Sequence, residues 1–60
     1  MTLERFEYLL KAGVKSETGT GRLFRALGFD EDAAQAEARA SVLRTCLRLL
    51  EEVKEECQKN

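Results

Sequence analysis

Residues 31–57 read EDAAQAEARASVLRTCLRLLEEVKEEC, and the spacing of their apolar positions decides the fold. At about 100° per residue, Ala36, Ala40, Val42, Leu43, Cys46, Leu47, Leu49, Leu50, Val53 and Cys57 fall within roughly 180° of arc. A coiled-coil seam is narrower than this, and an ordinary surface helix buries only about 100°. The stretch therefore predicts a long helix that meets two neighbours at once: the rest of its own chain and a second copy. Leu43, Cys46, Leu47, Leu50, Val53 and Cys57 are the expected dimer interface.

The start of this helix is well marked. Asp30 is placed as its cap, and Glu31 and Asp32 complement the positive end of the helix dipole. Its far end is not. Glu51, Glu52, Glu55 and Glu56 crowd the last turns, where the dipole disfavours anions and the pairs four residues apart repel. Either this end frays, or the cations of another segment or subunit neutralise it; Arg44 and Arg48 suit an antiparallel partner.

Upstream, Thr2 can cap a first helix in which Leu3, Phe6, Leu9 and Leu10 recur at helical spacing, with Gly13 placed as a left-handed stop. The run GVKSETGTG, residues 13–21, holds three of the four glycines and no apolar period, so it predicts a mobile connection. Arg22 to Leu27 then form a short helix that Gly28 closes, and Phe29 just beyond should fold back onto Leu23 or Phe24. The expected architecture is a single all-α domain. A helix over about 3–12, a loop over 13–21 and a short helix over about 22–27 pack on a long C-terminal helix over about 31–57. That helix dimerises to give a helical bundle. Phe6, Leu10, Phe24, Leu27 and Phe29 should close the core within one chain.

Length and composition limit what else the chain can be. Sixty residues bury only about 60 % of their unfolded surface, which leaves a lone domain marginal. There is no His, and Cys46 and Cys57 lack the spacing of a zinc site, so neither a metal nor any other cofactor is expected. The two thiols are eleven residues apart on one helix, about 16 Å at 1.5 Å per residue and beyond the roughly 7 Å a disulfide spans. An internal bridge is excluded. The cysteines are small apolar side chains in a reducing compartment, or a link between subunits. Charges interrupt every apolar run well short of a membrane span, which predicts a soluble, cytoplasmic protein.

Catalytic groups are missing from the pattern. The carboxylates lie on helical faces with no imidazole beside them, and Ser16 and Ser41 have no base to activate them, so an enzyme is not expected. Gly19-Thr20-Gly21 before a helix lacks the Gly-Lys-Ser/Thr of a phosphate loop and reads as a turn. Arg39 interrupts the apolar stripe. It either snorkels from the stripe's edge, its guanidinium reaching water or a glutamate, or forms a buried, bidentate structural ion pair with Glu4, Glu7 or a carboxylate of a second subunit. Lys11, Lys15, Arg22 and Arg25 form a candidate nucleic-acid contact, although the net charge is −1 and acids are interleaved among them.

Leu23-Phe24-Arg25-Ala26-Leu27-Gly28-Phe29-Asp30, with Arg39-Ala40-Ser41-Val42-Leu43 beyond it, resembles the segment that precedes the DNA-binding domain in small Xre-type regulators and HigA-like antitoxins. The likeness covers about residues 22–50. In that family a helix-turn-helix follows, and here the sequence stops at Asn60, so no DNA-contacting residue carries over. What the resemblance implies is an accessory, dimerising or toxin-facing segment. Together these readings predict a small non-enzymatic regulator or adaptor that works through protein contact as a homodimer. A nucleic-acid-binding, antitoxin-like regulator is the alternative.

Overall fold

The structure, a computed structural model, describes residues 1–58 and consists of two helices, α1 (Leu3–Leu27) and α2 (Asp30–Gln58). They lie side by side as a hairpin about 50 Å long and 16 by 13 Å across. Both ends of α1 are capped as its residues dictate. The Thr2 hydroxyl accepts the Arg5 N–H at 3.1 Å, and at the other end Gly28 takes the left-handed conformation with φ 84°. There the Phe29 N–H donates to the Phe24 carbonyl at 2.8 Å and the Gly28 N–H to the Arg25 carbonyl at 3.1 Å. Phe29 folds back so that its ring meets Phe24 edge to face, centroids 6.3 Å apart. The same residue opens α2, its carbonyl accepting the Ala33 N–H at 2.9 Å. Asp30 thus lies inside the first turn of α2 rather than outside it as a cap.

The expected loop over residues 13–21 is helix, and the two short helices are one. This corrects the reading of the glycines as punctuation. Neither Gly13, Gly19 nor Gly21 has positive φ; only Gly28 does. α2 passes close to both Gly13 and Gly21, tightly at the first and at ordinary van der Waals distance at the second. A Cβ on Gly13 would stand 3.0 Å from a Leu43 methyl, and one on Gly21 would stand 3.7 Å from both the Ala33 carbonyl and the Ala36 methyl. Tertiary packing outweighs the low helix propensity of this stretch.

A heptad rhythm runs through both helices. On α2, Ala33, Ala36, Ala40, Leu43, Leu47, Leu50 and Lys54 follow one another at spacings of three and four. On α1 the matching series is Leu3, Glu7, Leu10, Val14, Glu17, Gly21 and Phe24. The seam is narrow near the hinge, where Gly21 meets alanines, and is filled by leucines toward the open end. Its fully covered part is small. Leu10, Ala33, Ala36, Ala40 and Leu50 are the buried apolar residues, while Leu43 and Leu47 are half-buried. Of the aromatic and leucine residues expected to close the core, Leu10 does so and Phe24 is half-buried, but Phe6, Leu27 and Phe29 are exposed. Two helices offer only one contact line, and those three residues lie off it. Among the described residues, no helix is long and apolar enough to cross a membrane.

A helical Gly19 with open space around it should accept a methyl group. Gly19→Ala is expected to stabilise the chain by about 0.5–1 kcal/mol, and Gly28→Ala to destabilise it by a similar amount or more. Thermal unfolding of the two variants checks this, and a loss of stability in Gly19→Ala would restore the loop.

Candidate interaction faces

The hairpin has two dissimilar sides. On one, Gly13, Ser16 and Glu17 of α1 and Ala38, Arg39, Val42 and Leu43 of α2 line an open groove of about 490 Å³. Helical spacing extends its two walls. Phe6, Leu9, Leu23 and Leu27 share the outward stripe of Gly13 and Ser16, and Cys46, Leu49 and Val53 continue that of Val42. Most of the large apolar residues that stay exposed belong to this side: Val42 is 62 % exposed, Leu49 51 % and Val53 50 %. Gly13, Ser16 and Ala38 contribute little side-chain volume, and that is what leaves this space unfilled. At its rim Arg39 donates to Glu17, and the Arg39 side chain remains about half exposed. Arg39 thus reaches a glutamate of its own chain from the edge of the stripe, and that glutamate is Glu17 rather than Glu4 or Glu7.

The expected dimer interface is split by the hairpin. Leu43, Leu47 and Leu50 sit in the seam against α1, with Leu50 only 7 % exposed, so Leu50 has no surface left for a second chain. Cys46 and Val53 lie on the outward stripe beside Val42 and Leu49. Cys57 is exposed near the end of α2, and both thiols are free. The missing signal was a second heptad: Val42, Cys46, Leu49 and Val53 repeat at four, three and four, about a third of a turn from the seam.

The other side is polar. Thr18 and Arg22 of α1 and Glu37, Ala40 and Arg44 of α2 line a small depression there. Lys11, Lys15 and Arg25 share the α1 stripes of Thr18 and Arg22, and Arg48 follows Arg44 on α2. Arg25 is committed within the chain. Its Nε and one terminal nitrogen donate to the two oxygens of Glu37 at 3.0 and 2.7 Å, and the other terminal nitrogen lies 3.5 Å from Asp30. This fork raises the Arg25 pKa and holds Glu37 below the usual glutamate range. Arg44 donates to the Thr18 hydroxyl at 3.2 Å. Among the described residues, Lys11, Lys15, Arg22, Arg44 and Arg48 have no carboxylate within ion-pair distance.

Near the open end, two carboxylates meet across the seam. Lys54 donates to Glu7 at 3.4 Å, with both side chains largely covered. The hydrogen bond shared between the Glu7 and Glu51 carboxyls lowers the pKa of Glu7 and raises that of Glu51, while Lys54 and Lys11 favour the charged form of both. This polar cluster replaces a leucine layer at the place where the seam would otherwise be most apolar. Among the described residues, no group of three His, Cys, Asp or Glu side chains converges as a metal site. Comparison with protein-family models, curated proteins and solved structures finds no match to this chain.

A raised folded-state pKa gives Glu51 a stabilising contribution that is present at low pH and lost as pH rises through that pKa. Glu51→Gln should therefore raise the thermal midpoint at neutral pH, with the gain shrinking as pH falls below the usual glutamate range. Paired melts at pH 7 and pH 3.5 read this; an equal gain at both would show that the carboxyl pair is not responsible.

Proposed function

We propose that this chain is a non-enzymatic protein-contact module, a small regulator or adaptor whose working form is a dimer joined through the apolar side of the hairpin. The observation that carries this reading is the one-sidedness of the surface. Phe6, Leu9, Leu23, Leu27, Val42, Leu49 and Val53 remain exposed and belong to stripes that border a single groove. Scattered exposed apolar residues need no explanation, but a contiguous patch marks a contact site. A stable interface takes about 800 Å² from each partner, roughly a sixth of the 4728 Å² that this chain exposes. One side of a hairpin this long can supply that. The small buried core gives the second reason, since association adds the burial that two helices alone lack.

The likeness of residues 22–50 to the accessory segment of antitoxin regulators fits the same reading. That segment here comprises the last turn of α1, the hinge and most of α2, a unit suited to dimerisation. A second reading, binding to a nucleic-acid backbone, is favoured by one observation: Lys11, Lys15, Arg22, Arg44 and Arg48 lie on the opposite side without carboxylate partners. Dimerisation through the apolar side leaves both such surfaces facing out. Salt separates the two, because phosphate contacts weaken steeply as salt rises and an apolar interface does not.

Two substitutions on α2 test the dimer. Leu49→Glu, on the outward stripe, should leave the helicity of the hairpin in place while the solution mass falls to that of one chain and the melting midpoint loses its dependence on concentration. Leu47→Glu, in the seam, should remove mass and helicity together. Wild-type protein that sediments as a monomer at every concentration would overturn the proposal.

A further inference from the structure

The outward stripe of α2 reads Arg39, Val42, Cys46, Leu49, Val53, Glu56, and its spacing of three, four, three, four, three is the same in both directions. Counted outward from the middle, Cys46 matches Leu49, Val42 matches Val53, and Arg39 matches Glu56. Such a helix fits an antiparallel copy of itself, with apolar residues opposite apolar ones and a cation opposite an anion. The α1 side agrees. Gly13 sits on Leu43 and Glu7 beside Lys54, so the middle of the α2 stripe lies between these contacts, level with Leu10 and Lys11. A two-fold axis crossing both helices at that level also carries Phe6 to a height between Gly13 and Ser16, where the groove is open.

Resting on the dimer reading, we propose that the occupant of the apolar side is a second copy laid antiparallel over the open half of the hairpin. α2 packs on the partner's α2 about an axis between Cys46 and Leu49. Phe6 of each copy lies over the other's groove between Gly13 and Ser16, and Arg39 of each faces Glu56 of the other. The opposite arrangement, with both hinges at one end, stacks groove on groove and leaves some 490 Å³ on each chain without a knob to fill it. It also gathers Glu51, Glu52, Glu55 and Glu56 of both chains at one end. The antiparallel overlap fills the groove with an aromatic ring and parts the acidic ends. It leaves Leu23, Leu27 and Phe29 uncovered near the hinges.

Cross-linking reads the orientation. In a Cys46→Ser, Cys57→Ser background, Val42→Cys and Val53→Cys are made separately, both at exposed positions that the hairpin does not need. In the antiparallel dimer, identical positions are eleven residues apart along the axis, about 16 Å, too far for a disulfide. Positions 42 and 53 are opposite each other. Each variant oxidised alone should stay uncross-linked, and an equimolar mixture should give a covalent dimer containing one chain of each. If sedimentation shows a dimer but either variant cross-links alone, or the mixture does not cross-link, the orientation is wrong and the dimer stands. A monomer at every concentration removes both.

Discussion

Two helices packed side by side can hide one stripe each, and every other feature of this chain follows from which residues occupy that stripe. On α2 it is filled by Ala33, Ala36, Ala40, Leu43, Leu47 and Leu50, and on α1 by Leu10, Val14, Gly21 and Phe24 together with two glutamates. The alanines let the backbones approach near the hinge, where even a Cβ on Gly21 would stand at an ordinary 3.7 Å from the Ala33 carbonyl. Once that contact is made, neither helix has a second line to offer the other. Val42, Leu49 and Val53 on one helix and Phe6, Leu9 and Leu23 on the other are left outside by geometry, whatever their hydrophobicity.

Polar contacts across the seam set its alignment more than its strength. Glu7 and Glu17 stand at positions where a leucine would bury more area, and each meets a cation of α2, Lys54 and Arg39. With Arg25 gripping Glu37 at the hinge, three ion pairs fix the register along the hairpin. The Arg25 and Arg39 pairs are about half exposed on the cation, and pairs of this kind contribute little net stability. A slip by one heptad that set Glu7 against Leu47, however, would put Asp32 in the place of Arg39 beside Glu17. Specificity of register is what such pairs supply.

Much of this was legible in the residues themselves. The Thr2 cap, the Gly28 stop, the return of Phe29 to Phe24 and the acidic start of α2 are local chemistry, and each stands in the structure as its neighbours require. The run from Gly13 to Gly21 was the place where local chemistry misled. Gly13 serves the approach of α2, and that reason lies about thirty positions away in the chain, on Leu43. The division of the wide apolar arc was hidden for a related cause. Leu43, Leu47 and Leu50 cannot be told from Val42, Cys46, Leu49 and Val53 until the position of α1 is known.

Sequence alone determined that the chain is helical, where its hinge lies, and that α2 carries more apolar surface than one neighbour can cover, because capping, periodicity and arc width are properties of consecutive residues. Only the tertiary structure decided that α1 is unbroken, that Arg39 pairs with Glu17 and Arg25 with Glu37, and which half of the apolar arc faces inward. Those outcomes depend on the register between two helices, a relation that no single stretch of the chain contains.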